Sequence, residues 1–393
     1  MSELAVLDEP VTVTPPLLEQ VAVGMTEQGA ASRLARLRGA LEQAEVDALL
    51  VSNLANVRYL TGFSGSAGLL VVHREGTVLV TDGRYRVQVA EQVAAAGVSG
   101  EVEVVVAGAQ EQRGAVAQAL AAAPGCRVGL EAEHVTWAAQ RRWAETLADA
   151  ELVPTSGVVE ALRQVKDAGE LWTMARAAAV ADAALAEVVH LVAPGRTEQE
   201  VALALDSAMR RLGADDRAFE TIVASGPSSA KPHARPTARR IERGDAVVVD
   251  FGATVDGYRS DMTRTFLVGE ASAEMRAVWG LVCRAQAAGV TAVGPGVATG
   301  DVDAACRQVI ADAGYGEAFE HGTGHGVGLD VHEAPSVSAG SAAILAPGIV
   351  VTVEPGVYVA GLGGVRIEDT VVVTSGGCRT LTRFPKEPVL SRT

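Results

Sequence analysis

The sequence predicts two domains, an α/β domain followed by a larger α+β domain whose two halves are related. Three observations support this prediction. The chain has 393 residues, more than one ordinary domain needs. Helical and strand-like segments alternate in its N-terminal part. Further along, two long hairpin-like segments repeat the same order of apolar runs, glycine-rich turns and acids, which is typical of an internal duplication.

The N-terminal part divides into an extension and a domain. Residues 1–30, with two adjacent prolines and no sustained period, are predicted to be an N-terminal extension. Residues 31–156 are predicted to be the α/β domain, because "ASRLARLRGALEQAEVD" has a helical period whereas "ALLVSN", "GLLVVH" and "GTVLVTD" are short apolar strands. Residues 157–393 then form the second domain.

The second domain begins with two predicted helices. Asp167 with Glu170, and Thr197 with Glu200, have the spacing of capping boxes at helix N-termini. The hairpin "AVVVDFGATVDGYRSDMTRTFLV" follows, then a helical stretch from about residue 272 to 314, then the hairpin "GIVVTVEPGVYVAGLGGVRIEDTVVVT". The order of helices, hairpin, helices, hairpin predicts an α+β domain with two related halves.

The composition argues against several classes of partner. With 48 acidic and 33 basic residues the net charge is −15, which repels nucleic acid and anionic membrane surfaces. No stretch resembles a signal peptide or a membrane span. The four cysteines are far apart and form no CxxC pair, so a zinc knuckle or a disulfide framework is not expected. These features predict a cytoplasmic protein.

Each hairpin carries two acids at matching places. Asp250 and Asp261 belong to the first, and Glu354 and Glu368 belong to the second. A single such acid is most simply a strand-end residue that faces water. If the hairpins pack together, however, four carboxylates meet in a buried place, and only cations offset their repulsion. Two divalent ions balance four carboxylates in charge.

The segment "EHGTGHGVGLDVHEAP" holds three of the chain's seven histidines. His321 and His325 have the i, i+4 spacing of helical zinc sites, but the alternating glycines make a helix unfavourable, at about 1 kcal/mol each relative to alanine. A phosphate-binding loop is also not supported, because neither a helix start nor a P-loop lysine follows. A strand or a loop is expected here.

Five of these residues, in chain order, resemble the dinuclear metal site of the pita-bread metallopeptidases, the superfamily of methionine aminopeptidase, aminopeptidase P, prolidase and creatinase. They are Asp250, Asp261, His325, Glu354 and Glu368, within "DFGATVDGYRSD", "HGTGHGVGLDVHEAP", "EPGVY" and "RIEDT". Upstream, "NVRYLTGFSGSAGLLVV" and "TDGRY" are similar to the creatinase-like N-terminal domain. The resemblance implies that this α/β domain precedes a pita-bread catalytic domain with two pseudo-symmetric halves.

The resemblance also implies the metal ligands. Asp250 is expected to bind one ion through both oxygens, Asp261 and Glu368 to bridge two ions, and His325 and Glu354 to complete the second. Oxygen-rich sites with one imidazole suit manganese or cobalt more than structural zinc. Two divalent ions are therefore expected, with manganese first and cobalt or zinc as alternatives.

The remaining roles follow from the same resemblance. A hydroxide that bridges the two ions is expected to attack the scissile carbonyl, with Glu354 transferring the proton to the leaving nitrogen. His332 is expected to hydrogen-bond the developing oxyanion, and His321 and His233 to contact the substrate. Three further residues are expected to orient the carboxylates. These are Arg366, Tyr358 and Tyr258.

The likeness is greatest to peptidases that cut Xaa-Pro bonds, so proline-containing peptides are the expected substrates. The leading prediction is an Xaa-Pro aminopeptidase, and an Xaa-Pro dipeptidase, or prolidase, is the alternative. Two other classes remain open: a metal-free amidinohydrolase like creatinase, and a pita-bread module that binds without catalysis. The resemblance also implies a homodimer or a higher homo-oligomer.

Overall fold

The structure is a computed structural model that describes residues 29–120, 125–387 and 389–390. The predicted N-terminal extension lies outside the described residues except for its last two. The described chain forms two compact units, which divide between Arg163 and Gln164. Each unit is considered by itself below.

The N-terminal unit contains a mixed six-stranded sheet. The strands are β1 (Ala48–Val51), β2 (Gly68–His73), β3 (Gly76–Thr81), β4 (Val102–Val106), β5 (Arg127–Glu131) and β6 (Glu151–Thr155). Their order in the sheet is β4-β3-β2-β1-β5-β6, and β2 pairs antiparallel with β1 and with β3, whereas the other pairs are parallel. The helices are α1 (Ala30–Gln43), α2 (Leu54–Thr61), α3 (Arg86–Ala95), α4 (Gln112–Leu120), α5 (Trp137–Thr146) and α6 (Val158–Gln164). This alternation is the predicted α/β arrangement.

Helix α6 packs with the N-terminal unit, so the division lies later than the predicted end at residue 156. Arg163 Nη1 donates to Asn56 Oδ1 (2.7 Å), and Asn56 Nδ2 donates to Glu160 Oε1 (2.6 Å). The Tyr59 hydroxyl donates to the Leu162 carbonyl oxygen (3.0 Å). These bonds join α6 to α2, more than a hundred residues earlier in the chain.

Helices α7 (Ala168–Val188) and α8 (Glu198–Arg211) open the C-terminal unit, and both predicted capping boxes are present. The predicted helical stretch after the first hairpin is two helices, α9 (Ala273–Ala292) and α10 (Thr299–Asp312). Pro295 lies between them and cannot donate a backbone hydrogen bond, which explains the break. No helix in the described ranges combines the length and the apolar character that crossing a bilayer would require.

The two hairpins of the C-terminal unit have the same nested construction. The strands of this unit are β7 (Asp216–Arg217), β8 (Ile222–Ser225), β9 (Ala246–Phe251), β10 (Ala253–Val255), β11 (Tyr258–Arg259), β12 (Met262–Val268), β13 (Gly324–Gly326), β14 (Glu333–Val337), β15 (Val350–Val353), β16 (Gly356–Val359), β17 (Gly363–Arg366), β18 (Asp369–Thr374), β19 (Gly377–Thr380) and β20 (Val389–Leu390). In the first hairpin, β9 pairs antiparallel with β12, and the short pair β10–β11 lies between them in the chain. In the second hairpin, β15 pairs antiparallel with β18, and the pair β16–β17 lies between them. The predicted α+β fold with two related halves is confirmed.

Each half has its own apolar core between helices and sheet. Leu185 of α7 and Leu205 of α8 are buried in one cluster with Val249 of the first hairpin. Val282 of α9 and Ile310 of α10 are buried in another cluster with residues of the second hairpin. Each Å² of apolar surface buried in these clusters stabilises the folded state by about 25 cal/mol. This packing holds each hairpin against its helices and thereby fixes the strand ends that carry the acids.

Candidate metal centre

The strand pairing places the four acids in two pairs. Asp250 is in β9 and Asp261 directly precedes β12, so the antiparallel β9–β12 pair brings them to the same end. Glu354 directly follows β15 and Glu368 directly precedes β18, with the same result in the other half. Asp250, Asp261 and Glu368 are buried, and Glu354 is half-buried.

His325 joins acids from both halves. Its Nε2 is 3.2 Å from Glu354 Oε1 and 3.7 Å from Asp261 Oδ2. Asp261, His325 and Glu368 present ligand atoms that all lie within 4.8 Å of one another. His325 Nδ1 lies 3.0 Å from the Gly326 carbonyl oxygen, which can only accept, so Nδ1 carries the proton there and Nε2 is left to bind an ion.

His325 belongs to the short strand β13, so the prediction of a strand or loop at this place is confirmed. The flanking glycines are required by close backbone approach. A Cβ on Gly324 would lie 2.1 Å from the Thr352 carbonyl oxygen, and a Cβ on Gly326 would lie 2.3 Å from that of Ala334. Only glycine lets β13 fit between its neighbours and present the imidazole to the acids.

Two carboxylate oxygens in the centre lack a protein partner. Within the described residues, Asp250 Oδ1 and Glu368 Oε1 are buried and accept no hydrogen bond. Burial, followed by repulsion from Glu368, Asp250 and Glu354, raises the pKa of Asp261 well above its ordinary value. Burial, followed by repulsion from Glu354 and Asp250, does the same to the pKa of Glu368. Unpaired buried carboxylate oxygens are costly, and divalent cations relieve both the missing contacts and the repulsion.

The donor set therefore fits a pair of divalent ions. Four carboxylates and one imidazole supply oxygen and nitrogen but no sulfur, which suits hard or borderline cations. Burial alone would raise the pKa of Glu354, but its hydrogen bond and charge interaction with His325 outweigh this and lower it. The five residues that the sequence singled out as ligands thus lie together in the structure.

Arg366 donates hydrogen bonds to three side chains in or beside the cluster of acids. Its Nη2 donates to Asp250 Oδ2 (2.6 Å) and its Nη1 to the Tyr358 hydroxyl (2.7 Å). Its Nε donates to Thr263 Oγ1 (3.1 Å), and Thr263 in turn donates to Glu368 Oε2 (2.7 Å). Arg366 thereby contacts Asp250 directly and Glu368 through Thr263, whereas Tyr358 reaches the acids through Arg366.

The hydrogen bonds of His321 define its protonation. The Gly322 carbonyl oxygen can only accept, so His321 Nδ1, at 2.7 Å from it, carries a proton. Burial lowers the pKa of His321, so the ring is neutral and Nε2 accepts from the Tyr358 hydroxyl (3.0 Å). Burial also raises the pKa of Tyr358 to about 12, so the phenol keeps its proton. Both ring nitrogens are occupied, and a direct hydrogen bond from His321 to a substrate requires the release of one of these contacts.

The other two predicted substrate-side histidines are exposed. The ring of His332 meets the ring of His325 edge-on, with centroids 4.4 Å apart, so it borders the metal ligands. His233 follows Pro232, whose carbonyl oxygen accepts from Arg366 Nη1 (3.2 Å). The loop that carries His233 is thus tied to the same arginine that orients Asp250.

Tyr258 differs from its predicted role of orienting a metal-binding carboxylate. Its hydroxyl donates to Glu170 Oε1 (2.9 Å), in the capping box of α7. The short β10–β11 turn carries Tyr258 toward that helix, with which it also shares an apolar cluster. This contact supports the helix cap.

Two threonines of the centre were not predicted from the sequence. Thr263 links Arg366 to Glu368, and Thr352 Oγ1 donates to Glu354 Oε1 (3.1 Å) while accepting from the His325 backbone nitrogen (3.1 Å). The two-residue period of a strand is the sequence signal that could have identified both threonines. Thr263 lies two residues after Asp261, and Thr352 lies two residues before Glu354, so each shares a face with its acid.

Comparison with known proteins identifies the family of this chain. Residues 173–375 match the model of metallopeptidase family M24, and residues 33–165 match the creatinase/prolidase N-terminal domain. The chain belongs to metallopeptidase family M24, and it is a metallo-exopeptidase with the predicted pita-bread catalytic domain and creatinase-like N-terminal domain.

Individual relatives align over most of their length. The chain is 41% identical to the uncharacterized peptidase YqhT of Bacillus subtilis, over 91% of this chain and 99% of that protein. Among solved structures it is similar to an Xaa-Pro dipeptidase from Bacillus anthracis, with a TM-score of 0.88 and 40% identity over 92% of this chain and all (100%) of the other. It is also similar to an X-Pro aminopeptidase from Thermotoga maritima, with a TM-score of 0.82 and 35% identity over 91% and 100% of the two chains.

Proposed function

We propose that this chain hydrolyses the Xaa-Pro bond at the N-terminus of proline-containing peptides, as an Xaa-Pro aminopeptidase with two divalent metal ions. The observation that carries the proposal is the meeting of four carboxylates and one imidazole, in which two of the carboxylate oxygens accept no hydrogen bond from any described residue. The ligands are Asp250, Asp261, His325, Glu354 and Glu368. Asp261 and Glu368, one from each half, would hold both ions.

The bound ions would polarise the scissile carbonyl and acidify a water molecule, the chemistry that paired metals supply in aminopeptidases. Glu354 accepts the proton from the attacking water and passes it to the leaving proline nitrogen, which has no hydrogen of its own in the peptide bond. Thr352 fixes the orientation of Glu354 for this transfer. His332, exposed beside His325, donates to the oxyanion that develops on the substrate carbonyl, and His233 contacts the peptide from its neighbouring loop.

We assign manganese as the native metal, with cobalt and zinc as alternatives. Oxygen ligands outnumber nitrogen ligands in the centre, and this ratio favours manganese over structural zinc. The test is elemental analysis of protein purified without added metal, followed by chelation and reconstitution with each ion. Two ions per chain and restoration by manganese support the assignment. Greater restoration by zinc or cobalt at equal occupancy overturns it.

The second candidate is an Xaa-Pro dipeptidase. It is favoured by the 40% identity to the Bacillus anthracis protein that carries that name. The two candidates differ in the length of the substrate, so the metal-loaded protein should be offered Ala-Pro and Ala-Pro-Ala at equal concentration, with Ala-Ala-Ala as the control without proline. Cleavage of Ala-Pro-Ala after the first residue supports the aminopeptidase. Cleavage of the dipeptide alone supports the prolidase instead.

The other two classes are disfavoured by the same centre. A metal-free amidinohydrolase and a non-catalytic binding module have no need of five gathered ligand groups. Full activity after exhaustive chelation would favour the amidinohydrolase instead.

We also propose a reduced cytoplasmic location, supported by four cysteines that are all free thiols. A homodimer or higher homo-oligomer is the expected assembly, and light scattering coupled to gel filtration measures it.

A further inference from the structure

We propose that Asp303 and Arg307, on helix α10, are positioning residues for the reaction: the pair holds residues 319–323 and through them keeps His321 and Glu354 in place. This inference rests on the proposed function for its kinetic part. Its structural part concerns the backbone of residues 319–323 and can be measured without a substrate.

Asp303 and Arg307 lie one helical turn apart and form a bidentate ion pair. Arg307 Nε donates to Asp303 Oδ2 (3.0 Å), and Arg307 Nη2 donates to Asp303 Oδ1 (3.0 Å). The side chain of Asp303 is 1% exposed and that of Arg307 is 30% exposed. A forked pair whose carboxylate is buried has one geometry, so the guanidinium is fixed in direction.

The remaining guanidinium donors bind the backbone next to the site. Arg307 Nη1 donates to the Phe319 carbonyl oxygen (2.9 Å), and Arg307 Nη2 donates to the His321 carbonyl oxygen (2.9 Å). The guanidinium carbon also lies 4.2 Å from the centroid of the Phe319 ring, whose edge packs on His321. One arginine therefore restrains the backbone of His321 and the ring packed against it. Lysine has the charge but not the fork needed for these contacts.

Asp303 restrains the other end of the same segment. Its Oδ1 accepts from the Thr323 backbone nitrogen (3.1 Å) and from Thr323 Oγ1 (2.9 Å). The Thr323 carbonyl oxygen in turn accepts from the Glu354 backbone nitrogen (2.7 Å). A continuous set of hydrogen bonds thus runs from α10 through Thr323 to the residue proposed to transfer the proton.

Helix α10 is a rigid base for this pair. Val302, Cys306 and Ile310 on the same helix are fully buried in the core of the second half. Within the described part of the chain, the side-chain hydrogen bonds of the Asp303–Arg307 pair go to residues 319–323 or stay within the pair, and none of them reaches a side chain of the five ligands. Loss of Arg307 should therefore displace His321 without removing a metal ligand.

The first measurement is hydrogen–deuterium exchange in metal-loaded protein without substrate. Arg307→Met should speed exchange in residues 319–323 by at least about tenfold, since it removes the bonds to the Phe319 and His321 carbonyl oxygens, and Arg307→Lys should have an intermediate effect. Gln308→Ala is the matched control, because Gln308 is the next residue, is exposed, and bonds Asp312 at the same i, i+4 spacing (2.6 Å). This control should leave the exchange unchanged.

The second measurement is a double-mutant cycle between Arg307 and His321. In the wild-type background Arg307→Met should lower kcat/KM for Ala-Pro-Ala by about ten- to a hundredfold, as expected for a catalytic site displaced by up to about 1 Å. In the His321→Ala background the same change should have a clearly smaller effect, because its target is already absent. The metal content should remain at the wild-type value in both.

The outcomes separate the two proposals. Equal losses in both backgrounds, or unchanged exchange in residues 319–323, overturn the role of the pair. If wild-type protein cleaves no Xaa-Pro peptide but exchange rises in Arg307→Met, the proposed function fails while the restraint on residues 319–323 is supported. Should Arg307→Met fail to fold, Arg307→Lys, which keeps the charge beside Asp303, carries the same two measurements.

Discussion

Thr263 and Glu368 are joined across the two halves of the C-terminal unit, because Thr263 Oγ1 donates to Glu368 Oε2 over 2.7 Å. A related bond runs in the opposite sense, from Thr370 Oγ1 to the Asp261 carbonyl oxygen over 2.8 Å. Each threonine lies two residues after the acid of its own half and donates to the acid-bearing residue of the other half. The relation between the halves therefore extends from the strand order to the hydrogen bonds around the proposed bridging acids.

Replacing Thr263 with valine should weaken metal binding. The change keeps the shape of the side chain but leaves Glu368 Oε2 without its donor and Arg366 Nε without its acceptor. Loss of such a supporting hydrogen bond typically costs about ten- to a hundredfold in metal affinity. A competition titration with a chromogenic chelator measures the affinity. Thr263→Ser, which retains the hydroxyl, should stay near wild type, and equal affinities for the valine and serine variants would count against this role.

Replacing Asp261 with asparagine should abolish peptide hydrolysis and reduce the metal content below two ions per chain. The change removes one of the two proposed bridging carboxylates while keeping its size, so one divalent ion loses charge compensation. Asp256→Asn is the matched control on the same hairpin, because Asp256 is exposed and has a positive φ of 46° that asparagine tolerates. Wild-type turnover of Asp261→Asn with both metals bound would contradict the ligand assignment.

The buried ion pair between Lys166 and Glu333, the residue after His332, should contribute to the stability of the protein. Lys166 Nζ lies 3.2 Å from Glu333 Oε2, and the two side chains are 1% and 7% exposed. Lys166→Met removes the ammonium group that lies beside the buried Glu333 carboxylate, which should lower the free energy of unfolding by about 3–5 kcal/mol. The double variant Lys166→Met/Glu333→Gln should recover more than half of this loss, since glutamine is neutral and can still accept from the Asp330 backbone nitrogen (3.0 Å).

Urea unfolding, read from the transition of the C-terminal unit, measures both variants of this pair. The comparison between single and double variant is the decisive one. If the double variant is as unstable as Lys166→Met, the loss comes from packing around the lysine stem and not from the broken ion pair.

The features that could be predicted from the sequence are those that depend on residues close together in the chain. The capping boxes at Asp167 and Thr197 depend on residues three apart, so their spacing was sufficient to place both helix starts. The acids could be singled out because each ends or begins an apolar strand in a repeated order. The expectation of a strand or a loop at His325 followed from its flanking glycines.

Contacts between distant segments could not be predicted in this way. The division between the units depends on Arg163 meeting Asn56, a pairing that no local period records. Tyr258 was assigned to the carboxylates from the family resemblance, yet its hydroxyl bonds Glu170. The occupied nitrogens of His321 become evident only once the second hairpin folds back and brings Tyr358 to the ring.

The stability of the C-terminal unit should depend on pH through Asp182 of helix α7. Its carboxylate accepts from the backbone nitrogens of Arg383 (2.8 and 3.0 Å) and Phe384 (2.9 Å). Burial nevertheless raises its pKa to about 6, because these bonds and the charge of Arg264 do not offset the lost hydration and Asp369 adds repulsion. The folded state therefore binds this proton more tightly than the unfolded state, so Asp182 contributes stability below about pH 4 that is lost as the pH rises through about 6.

Asp182→Asn tests this dependence, because asparagine is neutral at every pH and keeps one oxygen as an acceptor. The unfolding free energy of the variant minus that of the wild type should rise between about pH 4 and about pH 7, by up to about 3 kcal/mol, and then level off. Metal-free protein is used for both, so that titration of the ligand carboxylates cancels in the difference. Glu187→Gln on the same helix is the control of opposite sign, because the Arg211 hydrogen bond lowers the pKa of the exposed Glu187. A flat or falling difference for Asp182→Asn would show that burial does not govern this carboxylate.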